Sequence, residues 1–154
     1  MDSMNMEDSA SEKTEVAVCG LHMRGFGLEH QLTKLQAVYD RTICTSAQYR
    51  MVRTNTDPAK PMLVCCAENG TALEVEIWKI SIEQIGKFLQ QIPAPLGLGK
   101  ICLEDGSQVI GFVGQAGAEK GLHDISSFGG WRYYCEEEKR TNKTFYNCED
   151  VTRK

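Results

Sequence analysis

The sequence lacks the features that mark most membrane, exported and nucleic-acid-binding proteins. No apolar run approaches the roughly 18 residues that cross a membrane. Residues 1–15 are acidic and polar, without the basic start and apolar stretch of a secretory signal. The longest basic group is Lys139-Arg140 in a chain of net charge −4, which argues against a phosphate backbone as the main ligand. We therefore expect a cytoplasmic protein with neither membrane nor nucleic acid as its partner.

The cysteines lack any recognisable order. There are seven of them, with no Cys-x-x-Cys pair and with Cys65 and Cys66 adjacent. An odd and irregularly spaced set is a poor disulfide framework. A zinc site would need tetrahedral clustering that this spacing does not indicate. We predict reduced, mostly buried thiols and no metal site.

What is present suffices for one folded domain. The chain has 154 residues, of which 42% are hydrophobic and 25% are charged. A domain of this size buries about 70% of the surface that its unfolded chain exposes, so it needs no disulfide or structural metal to fold. Composition predicts a disordered tail over residues 1–14, a folded domain over 15–135, and a polar C-terminal tail over 136–154.

Hydrophobic periodicity predicts a chain of short strands with few helices. Helical spacing is seen over residues 28–39 and again after Ser81. Asn69-Gly70 predicts one hairpin and Glu104-Asp105-Gly106 a second. Hairpins without regular strand–helix alternation indicate an α+β domain with a mostly antiparallel or mixed sheet. Apolar runs predict strands at 15–19, 48–52, 61–67, 72–80, 100–103 and 108–114.

A glycine-rich loop over residues 20–27 is the first candidate site. Its glycines permit close backbone approach, and the following helix presents unpaired N–H groups, which suits a carboxylate or phosphate. His22 and His30 could move a proton near neutral pH, and Arg24 could grip a carboxylate with two hydrogen bonds. A tight connection that merely needs glycine explains the same residues, so both interpretations stay open.

Three further segments could contribute to a site. Residues 92–99 concentrate prolines and glycines and could form a rigid pocket wall or simply a stiff chain reversal. Trp131, after Gly129-Gly130, is expected in the core or at a rim. Glu74 and Glu76 share one strand face, and a pair of this kind is usually solvated.

Several segments, in the same order, resemble the C-terminal domain of allophanate hydrolase. The likeness covers about residues 15–135. The segments are Val16-Ala17-Val18-Cys19-Gly20-Leu21-His22-Met23-Arg24-Gly25, Leu28-Glu29-His30-Gln31-Leu32, Leu73-Glu74-Val75-Glu76-Ile77-Trp78, Ile92-Pro93-Ala94-Pro95-Leu96-Gly97-Leu98-Gly99, Asp105-Gly106, Gly111-Phe112 and Asp124-Ile125-Ser126-Ser127-Phe128-Gly129-Gly130-Trp131-Arg132-Tyr133-Tyr134.

This resemblance implies a gamma-glutamylcyclotransferase-like fold, a small barrel-like mixed sheet with flanking helices, and a role in urea breakdown. In the family, an amidase domain cuts allophanate, and the C-terminal domain is implicated in decarboxylating the product, N-carboxycarbamate. We therefore expect a decarboxylase of the lyase type that acts on a small N-carboxylated carbamate, with His22 or His30 as the proton donor. The expected substrate-binding residues are Gly20, Leu21, Met23, Arg24, Gly25, Pro95, Gly97, Gly99 and Arg132.

The sequence departs from the family pattern at Leu21 and Glu29, which replace the usual Ala and Asn and could alter specificity. The amidase domain is not in this sequence, so the expected partners are a small carboxylate substrate and an amidase in trans, with a homodimer left open. Simple proton transfer needs no cofactor. Two alternatives remain: a non-catalytic metabolite-binding or amidase-partner module, and a gamma-glutamyl cyclotransferase. The second alternative needs an acid/base Glu that we do not find near Gln90-Gln91-Ile92.

Overall fold

The computed structural model describes residues 12–141 of the chain. Single turns of 3-10 helix at Ile82–Gln84 and Ser126–Phe128 precede the second and third helices. In chain order the regular elements are β1 (Lys13–Val18), α1 (Glu29–Thr33), β2 (Val38–Cys44), β3 (Tyr49–Arg53), β4 (Pro61–Cys65), β5 (Glu74–Ser81), α2 (Ile85–Gln90), β6 (Leu96–Cys102), β7 (Gln108–Gly114), β8 (His123–Asp124) and α3 (Trp131–Thr141).

The strands form two sheets. The larger has the order β2-β5-β1-β7-β6, and the smaller has the order β4-β3-β8. β1 lies antiparallel to β5 and parallel to β7, so the larger sheet is mixed. The smaller sheet is antiparallel throughout. Two sheets with few helices confirm the predicted α+β class.

One core fills the space between the sheets and the helices. Val16, Ala17 and Val18 at the end of β1 are almost wholly buried, as expected for a central strand. Phe88 of α2 and Trp131 of α3 are both 0% exposed and close the core from the helical side. Burying a large apolar side chain contributes roughly 1.5–3 kcal/mol. The core therefore holds the end of β1, from which the glycine-rich loop leaves, in a fixed place.

The prediction of one helix over residues 28–39 is wrong in its length. α1 ends at Thr33, and Gln36 has a φ of 63°, a left-handed conformation that reverses the chain. Val38, predicted to complete the apolar stripe, begins β2 and is 62% exposed. No helix within residues 12–141 is long and apolar enough to cross a membrane.

The two predicted hairpins have different outcomes. β6 and β7 pair antiparallel, with Gly106 at a φ of 90° in the turn, which confirms the second hairpin. The hairpin at Asn69-Gly70 is wrong because β4 pairs with β3 and β5 pairs with β1 and β2. Gly70 instead packs against another segment, where an added Cβ would lie 2.5 Å from the carbonyl oxygen of Ala47.

Regular structure is also found on either side of the predicted domain of residues 15–135. Lys13 and Thr14, assigned to the N-terminal tail, pair with β5 as part of β1. α3 continues through residues 136–141, and Tyr134 and Cys135 on its inner face are buried. The remainder of the two predicted tails lies outside the described residues.

The prediction that the thiols are reduced and mostly buried needs correction. Cys135 is disulfide-bonded. Cys19, Cys44, Cys65, Cys66 and Cys102 are free thiols, but only Cys19 among them is buried, and Cys65 is exposed.

Candidate functional site

A small pocket opens where the glycine-rich loop leaves β1. Its cavity volume is about 40 Å³, a few times the ~10–15 Å³ that admits one water. The pocket therefore suits a ligand of only a few non-hydrogen atoms. It is lined by Cys19, Gly20, Leu21, His22, Leu28, Lys60, Pro61, Gln91, Ile92, Pro93, Leu96 and Phe112.

The loop backbone is held in shape by its own hydrogen bonds. Met23 N–H donates to the Gly20 carbonyl at 3.0 Å, and Leu28 N–H donates to the Leu21 carbonyl at 2.9 Å. A Cβ on Gly20 would lie 2.6 Å from Cγ of Pro61, closer than packing allows. Glycine is therefore required at position 20 by the close approach of Pro61, the first residue of β4.

His22 is brought into the pocket as a buried, neutral imidazole. Only 8% of the residue is exposed, and its ring lies 5.1 Å from Phe88 and 5.8 Å from Phe112, centroid to centroid. Burial lowers the pKa of His22 to about 4, against the opposing effect of its hydrogen bond to Gln31, and nearby Lys60 and His30 lower it further. Near neutral pH the ring therefore carries no charge.

Lys60 is the basic residue that lines the pocket, and it was not among the residues predicted from the sequence. It stands just before β4, where its backbone N–H donates to Thr54 Oγ1 at 2.9 Å and its carbonyl accepts from Thr54 N–H at 2.8 Å. Among the ion pairs of residues 12–141, none involves Lys60. No local pattern in the sequence marks this residue, because its role depends on a contact with a loop more than thirty residues away.

Arg24 and Arg132 are brought together, but on a buried carboxylate instead of a ligand. Arg24 donates to Glu76 from its backbone N–H at 2.9 Å and from Nε at 3.2 Å. Arg132 donates to the Arg24 carbonyl at 2.9 Å and to Glu76 at 3.4 Å. The expectation that Glu76 is solvated is wrong, since only 2% of it is exposed. Neither arginine lines the pocket, because both guanidinium groups are committed to Glu76.

The remaining loop residues shape the loop rather than the cavity. His30 is exposed, with Nδ1 2.9 Å from the Gly27 carbonyl, and does not line the pocket. Gly25 N–H donates to Glu29 Oε1 at 3.0 Å, so the Glu29 carboxylate caps the turn instead of facing a ligand. Met23 is a core residue at 1% exposure.

The proline- and glycine-containing wall is only partly where it was predicted. Ile92, Pro93 and Leu96 line the pocket, whereas Pro95, Gly97 and Gly99 do not. Gly97 and Gly99 belong to β6, where Gly99 lies against β7. Gln91, which had no assigned role, also lines the pocket, and its Nε2 donates to the Lys87 carbonyl at 3.4 Å.

The chemistry available in the pocket is that of a weakly cationic, largely apolar hollow. Lys60 supplies positive charge and His22 supplies a ring nitrogen. Burial raises the pKa of the Cys19 thiol to about 12, so this thiol stays protonated. The lining residues include no Asp or Glu, and within residues 12–141 no group of three or more His, Cys, Asp or Glu could hold a metal ion. A small anion with a hydrogen-bonding group is the ligand that this set accommodates.

The two sheets and the pocket beside the first strand define a gamma-glutamylcyclotransferase-like fold. A gamma-glutamyl cyclotransferase superposes on the chain with a TM-score of 0.51 at 7% identity, a likeness of fold alone. Residues 14–136 match the allophanate hydrolase C-terminal domain. The chain belongs to that family.

Relatives of this chain occur both within long proteins and as a short one. The urea amidolyase of Saccharomyces cerevisiae is 34% identical over 84% of this chain, which spans only 7% of that protein. The allophanate hydrolase of Kluyveromyces lactis has a TM-score of 0.77 at 30% identity, covering 82% of this chain and 21% of its own. A uropathogenic E. coli-specific protein has a TM-score of 0.75 at 34% identity and covers 80% of this chain and 95% of its own.

Proposed function

We propose that this chain binds a small N-carboxylated carbamate, the dianion formed when an amidase cleaves allophanate, and releases carbon dioxide from it. The observation that supports this proposal is the placement of Lys60 and His22 in the lining of one small pocket. The family relationship to allophanate hydrolase and urea amidolyase supplies the substrate class.

In this proposal Lys60 holds a carboxylate of the substrate. A cation is favourable there because the walls are apolar, and an ion pair is stronger where water is largely displaced. Gln91 also lines the pocket and can donate to the second carboxylate through the amide hydrogen that its contact with the Lys87 carbonyl leaves free. The pocket is small, as suits a ligand of the size of a dicarboxylated nitrogen.

Loss of carbon dioxide breaks one C–N bond and leaves the electron pair on nitrogen. A proton delivered to that nitrogen lowers the barrier, an effect typically worth about 10²–10⁴-fold. We assign the delivery to His22, since His30 is exposed and outside the pocket lining. The products are carbon dioxide and carbamate, which releases ammonia in water.

A non-catalytic binding module is the second candidate, and one observation favours it. The pKa of His22 is lowered to about 4, so the ligand-free pocket holds a neutral ring that must first gain a proton before it can donate one. A pocket of that kind can bind an anion through Lys60 without turning it over. For the cyclotransferase alternative, the pocket lining offers no carboxylate as acid/base.

The test is the rate of carbon dioxide release from allophanate by an amidase that lacks its own C-terminal domain. Adding the chain should accelerate release beyond the amidase alone. Lys60→Met should lower the gain by about 10²-fold, as expected for loss of one charge-stabilising donor. Lys87→Met, which removes an exposed lysine of α2, is the matched control and should keep the full gain. Malonate binding without any acceleration by the wild-type chain would favour the binding module.

A further inference from the structure

The two ring nitrogens of His22 have different surroundings. Nε2 lies 2.7 Å from Oε1 of Gln31, a residue of α1. An amide oxygen only accepts hydrogen bonds, so the hydrogen in this contact is carried by Nε2. Nδ1 forms no hydrogen bond with any residue of the described part of the chain, and His22 lines the pocket.

The ring is also fixed in orientation. Phe88 packs edge-on against it at an interplanar angle of 83°, and Phe112 lies at 33° on another side. A ring enclosed in this way and 8% exposed cannot exchange its two nitrogens by rotation without disturbing the core. The asymmetry between Nε2 and Nδ1 is therefore a property of the folded protein.

We infer that Gln31 is a positioning residue that holds the Nε2 proton of His22, so that Nδ1 is the only ring nitrogen that exchanges a proton with a ligand in the pocket. The catalytic consequence rests on the proposed function, but the tautomer does not. A histidine whose second nitrogen is fixed by a neighbour in this way presents one defined nitrogen to its ligand.

With Nδ1 as the nitrogen that exchanges a proton, ligand binding and proton uptake by His22 depend on each other. The charged and titratable groups that face His22 are Lys60 and His30, which disfavour a second ring proton, and Cys19, a neutral thiol that lines the same pocket. A dianion beside Lys60 reverses this balance because negative charge favours the imidazolium form. We therefore expect His22 to take up a proton at Nδ1 as a dicarboxylate binds.

The reaction step then balances without any further reactant. The protonated His22 gives its Nδ1 proton to the substrate nitrogen as the C–N bond breaks and its electron pair moves to that nitrogen. Carbon dioxide leaves, carbamate remains, and His22 returns to the neutral form, with Nε2 still donating its hydrogen to Gln31 Oε1. The carbamate product carries one negative charge fewer than the substrate dianion. Transfer of the Nδ1 proton to the substrate therefore also weakens binding of the product.

The deciding measurement is the histidine ¹⁵N spectrum of the ligand-free protein near pH 7, which distinguishes the two neutral tautomers. Wild type should show His22 with the proton on Nε2. Gln31→Leu should populate the Nδ1-protonated tautomer, and Gln90→Leu, which changes an exposed glutamine of α2, should match wild type. A wild-type ring protonated on Nδ1, or one unaffected by Gln31→Leu, would overturn the inference.

Gln31→Glu keeps an acceptor for Nε2 and serves if Gln31→Leu does not fold. Its carboxylate should keep the Nε2 tautomer and also favour the protonated ring before any ligand arrives. Calorimetry of malonate binding in buffers of different ionisation enthalpy should show about one proton taken up by wild type near pH 7 and markedly less by Gln31→Glu. Binding to wild type without proton uptake would contradict the exchange at Nδ1, whereas absence of malonate binding counts against the proposed function and leaves the tautomer result standing.

Discussion

Arg24 and Glu76 are joined through both the main chain and the side chain. The Arg24 backbone N–H and its Nε donate to the two carboxylate oxygens of Glu76 at 2.9 and 3.2 Å. Trp78 Nε1 donates to the same carboxylate at 3.2 Å. The loop that carries His22 is thereby fastened to the centre of β5 by Arg24, one of the residues predicted to bind substrate.

Glu76→Gln should lower the free energy of unfolding by about 1–3 kcal/mol. The guanidinium groups of Arg24 and Arg132 then lose a charged hydrogen-bond acceptor in a region that water reaches only in part. Arg24 and Arg132 keep some access to water, which moderates the loss. Urea denaturation measures the change. Glu83→Gln, at an exposed residue, should stay within about 0.5 kcal/mol of wild type, and an equal loss in both variants would refute the role of Glu76.

Gly20→Ala and Gly86→Ala should change stability in opposite directions. At position 20 the new methyl would lie 2.6 Å from Pro61, so overpacking should cost about 1–3 kcal/mol and narrow the pocket. At position 86, within α2, a methyl meets nothing within 4 Å, and the higher helix propensity of alanine should stabilise by roughly 0.5–1 kcal/mol. Thermal unfolding checks both, and a neutral Gly20→Ala would contradict the close approach of β4.

Acid should destabilise the protein through His22. The pKa of His22 is about 4 in the folded state against an ordinary 6.5, so between these values the unfolded chain binds a proton that the native state does not. Stability is therefore unaffected by this group above pH 6.5, falls as the pH drops toward 4, and levels off below, for a total of about 3 kcal/mol.

His22→Gln should flatten the unfolding free energy between pH 6.5 and 4 compared with wild type, because glutamine does not titrate. His123→Gln, at an exposed histidine of β8, provides the comparison and should retain the wild-type slope. Equal slopes in wild type and His22→Gln would show that His22 titrates normally.

Thiol labelling should separate the cysteines by burial. Cys19 is buried with its pKa raised to about 12, so almost none of it is the reactive thiolate at pH 8. Cys65 is exposed and should react first with iodoacetamide. Mass spectrometry of the native protein and of the protein in denaturant would check the order, and rapid native labelling of Cys19 would mean that the pocket region opens readily.

Local patterns predicted those parts of the fold that local physics controls. β1, β3, β4, β7 and the turn at Gly106 follow from β-branched runs and a glycine at positive φ, and the ordered family segments predicted the fold class. Local patterns could not predict which strands and loops pack against each other. The alternation of β5 predicted Glu76 on a solvated face, and only the arrival of the loop from one side and α3 from another explains why it is buried.

The same division applies to the site. The loop and His22 could be found as a candidate site from the sequence because a run with three glycines and a histidine, placed between a strand and a helix, is a local pattern. Lys60, Gln91 and the role of Gln31 could not, since each depends on a contact between segments that are far apart in the chain or turned toward each other by the core. Pro95, Gly97 and Gly99 were assigned to the pocket wall because residues 92–99 suggested a loop, whereas β6 already begins at Leu96.

The amino-acid sequence by itself determined the class of fold, the family and the loop that borders the pocket, since these depend on short-range patterns of hydrophobicity, glycine and residue order. The tertiary structure decided which side chains face the cavity and in what charge state. Burial lowered the pKa of His22, the buried carboxylate of Glu76 accepted hydrogen bonds from Arg24 and Arg132, and Lys60, just before β4, came to line the pocket. Such outcomes depend on distance and desolvation, which exist only once the chain has folded.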